Sequence, residues 1–211
     1  MATVSRTRNQ AVRAEKARST RRRVVAAAGE LFVRDGYLQT TMAGIAGAAD
    51  VAVQTLYLSF GSKVAVLGAA LDVAIAGDDE PVPVLKRDWV AQVRAEPDGR
   101  AALALFVDAA AGIMVRHYPL YAAVRAASAD PELAELLDRN KRGRYETHGR
   151  IVGELAEKPG FNGRISLQRA TDVVYTLVSQ ETYGLLVGEH GWTVPDWADW
   201  VGGSLAAELF P

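Results

Sequence analysis

A chain of 211 residues has the length of one large domain or two small ones, and its 49% hydrophobic and 23% charged residues are those of an ordinary folded protein with a buried core. It contains no cysteine, which excludes disulfides, thiol nucleophiles and thiolate metal sites. The net charge of −1 conceals an asymmetry: residues 1–63 carry ten Lys+Arg against four Asp+Glu, and residues 64–211 carry fourteen against twenty-one. A basic end joined to an acidic remainder is expected where one end meets phosphates.

In chain order, residues 1–19 are polar and basic, and read as a flexible arm whose Arg6, Arg8, Arg13, Lys16 and Arg18 could reach phosphates or a minor groove. From about Thr20 to Arg34 or Asp35 a helix is expected, with Val24, Ala28, Leu31 and Phe32 facing a core. Gly36 stands where a helix end wants positive φ, and Tyr37 should pack back on the helix. Thr41 is a suitable N-cap for a second helix whose Met42, Ile45, Ala46 and Ala49 recur on one face. Asp50-Val51 makes a sharp turn, because Asp tolerates the left-handed backbone. A brief third helix follows, with Val51, Leu56 and Phe60 inward and Val53, Gln54, Thr55, Tyr57, Leu58 and Ser59 partly outside. A short helix with polar groups on its open side suits a DNA major groove. Ser62 reads as the N-cap of a fourth helix carrying Val66, Leu67, Ala70 and Leu71 on one face, and the run from Gly77 to Pro83 breaks it.

The segment Arg21–Leu67 resembles the DNA-binding domain of the TetR family of bacterial transcriptional regulators. The residues that carry the resemblance are RRRVVAAAGELFVRDGY, then TTMAGIA, then LYLSFGSK with Val66-Leu67 close behind, in order and without gaps. The resemblance implies an all-α protein: a helix-turn-helix domain at 20–66 and a larger effector-binding and dimerisation domain at 67–211. It also implies a double-stranded DNA operator, a small-molecule effector and a homodimer as partners. Tyr57 and Lys63 stand at the family's phosphate-contacting positions. On chemistry, Gln54 and Thr55 are the candidates for base edges and Val53 for a thymine methyl. Thr40 and Thr41 are candidates at the start of the second helix; Leu58 and Ser59 complete the expected DNA face. Three positions depart from the family's usual residues: Asp50 for Gly, Ala52 for Ser or Thr, and Ser59 for His. Ala52 cannot cap the third helix, leaving its first turn frayed or capped by Asp50.

Beyond Pro83, helices are expected at about 85–95, 98–117, 119–128, 131–157, 166–189 and 196–209, with no strand pattern. Phe106, Ala110, Met114 and His117 share one face, Tyr145 and His148 another, Tyr175, Ser179 and Tyr183 a third. With Tyr121 these are the candidate lining of a small-molecule pocket, although ordinary helical cores show the same apolar faces dotted with polar atoms. By position, 166–189 and 196–209 resemble the helices that pair subunits in this family. Val201-Gly202-Gly203-Ser204 and Ala206-Ala207 permit close approach there, and Trp192, Trp197 and Trp200 would fill the interface or the core behind it.

An enzyme finds no support: the three histidines, His117, His148 and His190, have no metal-ligand spacing, and no nucleophile elbow or phosphate-binding loop occurs. No catalytic residue, metal or cofactor is expected. No apolar run approaches the roughly 20 residues of a membrane span and no signal peptide opens the chain, so a cytoplasmic location is expected. The expected function is a transcriptional regulator, a repressor released from a palindromic operator by a small apolar effector. Two alternatives are a helical dimeric DNA-binding protein without an effector and a helical small-molecule-binding protein that has lost DNA binding.

Overall fold

The computed structural model describes residues 2–125, 127 and 130–211, with side chains from Val12 onward. The described residues form helices and turns with no strand. α1 runs Ala2–Gln39, α2 Met42–Ala48, α3 Val53–Phe60 and α4 Lys63–Ala76. After a 3-10 turn at Val84–Lys86 come α5 (Asp88–Ala95), α6 (Gly99–Arg125), α7 (Pro131–Ala156), α8 (Leu167–Leu177), α9 (Gln180–Tyr183) and α10 (Val194–Leu209).

The local chemistry of the N-terminal elements follows the sequence closely. Gly36 breaks the helical geometry near the end of α1 at φ 79°, ψ 164°. Tyr37 then folds back, its ring centroid 5.8 Å from that of Phe32. Thr41 caps α2 by accepting from the Gly44 N–H, and Ser62 caps α4 by accepting from the Ala65 N–H. Gly77 ends α4 in the left-handed conformation that glycine adopts without a Cβ clash.

Three expectations need correction. The stretch 2–19 is helical, continuous with α1, rather than an arm. It is rich in Ala and Arg, both good helix formers, and Arg18 ties it to the loop after α4 through Asp79 (3.2 Å) and Glu80 (2.7 Å). Arg18 is therefore already paired; the side chains of Arg6 and Arg8 lie outside the described residues. The segments 98–117 and 119–128 are one helix, α6, which passes through Pro119 to Arg125. Pro119 removes a single N–H, and its would-be acceptor lies on Val115, an exposed residue whose carbonyl can turn to water. Conversely, 166–189 is not one helix: Val178 adopts φ −90°, ψ 66°, ending α8. Ser179 restarts the chain as the N-cap of α9, which runs into a π-helical turn, Gly184–Glu189. Added Cβ atoms at Gly184 and Gly188 would lie 2.6 and 2.9 Å from the Tyr118 hydroxyl, so only glycine lets that ring lie against this turn.

Two hydrophobic cores result. One joins α1–α4 (Val24, Phe32, Ile45, Leu56, Leu67, Leu71) to Leu120 and Val124 of α6 and Leu133 and Leu136 of α7. The other joins α5, α8, α9 and α10 to Leu103, Phe106 and Met114 of α6 and Ile151, Val152 and Leu155 of α7. α6 and α7 thus run through both. α6 has the length and apolar composition of a membrane span, contrary to the sequence reading. Its apolar side chains are instead what the two cores are built on.

Candidate DNA interface and ligand cavity

The turn between α2 and α3 places Asp50 at φ 53°, the one positive φ outside glycine among the described residues. Its N–H donates to the Gly47 carbonyl (3.2 Å) and that of Val51 to the Ala46 carbonyl (3.0 Å). α3 has Ala52 at its N-cap and no side-chain cap; Asp50 does not supply one. α3 is anchored instead by Leu56, which is fully buried, and by Phe60, partly buried against the core. Val53, Gln54, Thr55, Tyr57 and Leu58 are all exposed, Leu58 at 83%. Ser59 is exposed too, but its hydroxyl donates to the Thr55 carbonyl at 2.8 Å. Thr41 is exposed; its oxygen accepts from Gly44 at 3.0 Å, which leaves the hydroxyl proton available.

Two expected DNA contacts are turned inward. Lys63 donates from Nζ to the carbonyls of Tyr37 (2.8 Å) and Thr40 (2.9 Å), and sits 4.1 Å above the Tyr37 ring. Burial lowers its pKa. The ammonium ties the end of α1 to the start of α4, because two carbonyls freed at the Gly36 break need a donor. Thr40 is buried, and its hydroxyl donates to the Gly36 carbonyl at 2.8 Å. A residue the sequence reading passed over is Arg21, whose guanidinium lies 4.4 Å over the Phe60 ring and so braces the end of α3. The triple-arginine run at 21–23 was the available signal.

The cavity lies between the two cores, where α6 and α7 cross from one to the other. It encloses about 290 Å³. Phe106, Ala110, Met114, His117, Tyr121 and His148, all candidates from the sequence, line it. Four other candidates do not. Tyr145 donates to Asp172 (2.9 Å) at the surface, and Tyr175 packs edge-on to Tyr145 at 5.3 Å. Ser179 is occupied as the cap of α9, and Tyr183 packs on Trp197 at 5.3 Å. The break at Val178 rotates the chain, so that Val178 and Gln180 rather than Ser179 and Tyr183 face the space. Helical periodicity carried through a break that the sequence does not announce put these residues on the wrong face.

Missed from the sequence were Trp89, Ile113 and, above all, Arg144, which lies four residues before His148 on α7. Arg144 has a side chain 13% exposed and donates from Nη1 to Gln180. His117 and His148 are both nearly buried. Burial, with Arg144 nearby, lowers the His117 pKa to about 4 and the His148 pKa to about 3, so both rings are neutral at pH 7. The Tyr121 hydroxyl donates to Glu181 at 3.0 Å; burial and that carboxylate push its pKa up to about 12. Asp72 and Ile75 of α4 complete the wall, so the helix that follows the DNA-facing elements is itself part of the cavity.

Residues 24–70 match the model of the bacterial regulatory proteins of the tetR family. Over that stretch the chain is similar to the tetR-family regulators. Solved structures of transcriptional regulators share its fold over nearly the whole chain. A transcriptional regulator from Saccharomonospora viridis in complex with choline has a TM-score of 0.68 at 18% identity, over 90% of this chain and 97% of that one. FadR from Bacillus subtilis in complex with stearoyl-CoA has a TM-score of 0.68 at 17% identity, over 88% and 97%. NalD from Pseudomonas aeruginosa, the secondary repressor of the MexAB-OprM multidrug efflux pump, has a TM-score of 0.67 at 17% identity, over 93% and 98%. At these identities the likeness is one of fold. No curated protein matches the chain. The TetR-family match covers the helices that present α3 and ends within α4, short of every cavity residue.

Proposed function

We propose that this protein is a TetR-family regulator, a homodimeric repressor released from a palindromic operator by a small molecule that enters the cavity between the cores. The observation that carries the reading is the position of α4. Its start is pinned to the helix-turn-helix by Lys63, and its later residues Asp72 and Ile75 form cavity wall. A ligand that favours a different setting of α4 then alters the attitude of α3. It acts only through its different affinities for the two settings, and a coupling of roughly 1–3 kcal/mol lowers operator affinity about 5–150-fold. Among proteins of similar fold, one is a complex with stearoyl-CoA and another with choline. That supports a small-molecule cavity here and leaves the ligand's chemistry to this chain's own residues.

On the DNA, Gln54 and Thr55 read base edges, Val53 and Leu58 meet thymine methyls, and Tyr57 and Thr41 hold phosphates. Lys63 and Thr40 keep the domain in shape. A second reading, a helical ligand-binding protein that no longer binds DNA, draws on the inward Lys63 and buried Thr40. The open face of α3 favours the first.

Fluorescence anisotropy with fragments of the DNA upstream of its own gene separates the two. The repressor reading expects a specific complex that weakens steeply with salt as counterions are released. Tyr57→Ala should weaken all sequences alike. Gln54→Ala should reduce discrimination at one position by about 1–3 kcal/mol. Unchanged operator preference in Gln54→Ala removes the assignment of that side chain; no preference among fragments in the wild type removes the repressor reading.

A further inference from the structure

The polar groups of the cavity are unevenly satisfied. Arg144 spends Nη1 on Gln180, but its buried Nε has no partner, and Nη2 comes no closer to a carboxylate than 3.8 Å from Glu181. The free edge of the guanidinium, Nε with Nη2, is the edge that grips a carboxylate through two parallel hydrogen bonds. One helical turn on, His148 is 6% exposed and its Nδ1 also has no partner. A buried polar atom left unpaired is costly, and the two residues that carry these atoms lie one helical turn apart on α7 and line the same cavity; in the tautomer with the proton on Nδ1, both atoms are donors that one acceptor can satisfy.

Glu181 is engaged with Tyr121 and is not part of the lining, whereas Asp72 comes from α4, with Arg21 of α1 beside it. Of the lining cations, Arg139 is paired with Glu135. Lys141, Asn140 and Thr147 of α7 give that side of the wall a polar edge, and Phe106, Met114, Ile113 and Val178 make the opposite side apolar. A volume of about 290 Å³ sits at the lower end of ligand pockets, which suits a compact molecule better than a long acyl chain.

We propose that the effector is a compact apolar acid whose carboxylate is held by the Nε/Nη2 edge of Arg144 and selects the His148 tautomer that donates from Nδ1. This rests on reading the cavity as the effector site. A cation would face the guanidinium, and a neutral alcohol offers one uncharged oxygen in place of the two charged ones that match the guanidinium edge.

Calorimetric titration of the wild-type protein with octanoate and phenylacetate, the matched alcohols, and the matched quaternary ammonium ions tests it. The acids should bind at least about ten-fold more tightly than the alcohols, and the ammonium ions should not bind. Arg144→Gln should weaken the acids about ten- to a hundred-fold, the range expected for a charge-assisted pair, and the alcohols far less, so that the preference for acids is lost. Arg144→Lys should retain part of the preference for acids, which a merely structural role for Arg144 would not produce. The wild-type comparison stands even if a variant fails to fold. Equal binding of acids and alcohols, binding of the ammonium ions, or binding by none of the three overturns the proposal. Operator release by an alcohol or ammonium ion leaves the effector reading standing without it. Acids that bind and do not release the operator leave the acid site standing and remove the effector reading.

Discussion

Two imidazoles inside the helical bundle set its response to acid. His117 and His148 have folded-state pKa values lowered by burial to about 4 and about 3, against an ordinary value of 6.5. Between those limits the unfolded chain binds protons that the folded chain refuses, so stability rises with pH. It is fully present above about 6.5 and lost as pH falls toward 4, at roughly 1.4 kcal/mol per pH unit for each ring. We expect the Tm to drop steeply across that window, and to drop less in a His117→Gln, His148→Gln double variant. A Tm independent of pH from 6.5 to 4.5 would sink this account. Lys63 illustrates the opposite outcome for a titratable group. It remains a cation because two carbonyls and the face of Tyr37 replace the water that burial removes.

At the scale of elements, α3 is the least supported helix in the DNA-facing half. It has eight residues, far below the length at which an isolated helix persists, and no side-chain cap. Ala52 nevertheless has φ −67°, ψ 139°, the extended geometry an N-cap needs. Ala52→Ser should therefore stabilise the protein by about 1 kcal/mol, a Tm rise of roughly 2–4 °C for a chain of this size. Thermal unfolding followed by circular dichroism measures it directly; an unchanged or lower Tm shows that the start of α3 is set by the Asp50 turn and Leu56 alone. The π-helical turn after α9 shows a tertiary contact shaping an element. Tyr118 of α6 lies against Gly184 and Gly188, and the chain answers with a π-helical turn in place of a regular helix.

For the whole molecule, the acidic half must hold two copies in register if one short helix is to read a two-fold operator. Of the three tryptophans considered there, Trp197 is fully buried in the second core, while Trp200 is exposed and meets Trp192 edge-on at 6.1 Å. Gly203 and Ala207 are exposed on the same side of α10 at helical spacing, and a Cβ at Gly203 would meet nothing within the subunit. We propose this stripe as the dimer contact. Trp200→Asp should shift the protein to monomer in sedimentation velocity, with helical content retained and operator affinity lost. A Trp200→Asp protein that remains dimeric places the interface elsewhere.

The sequence by itself determined the caps, the turn and the faces of α2 to α4, because Thr41, Asp50, Ser62 and Gly77 act on backbone within a few residues of themselves. It equally determined that Leu56 points in and Gln54, Thr55 and Tyr57 point out, since helical period alone decides that over one or two turns. Only the tertiary structure decided the rest. Lys63 and Thr40 turned inward to satisfy carbonyls far from them in sequence, and the break at Val178 moved Ser179 and Tyr183 off the cavity wall. Arg144 became a cavity residue because α6, α7 and α9 meet around it, a convergence of segments dozens of residues apart that no local pattern records.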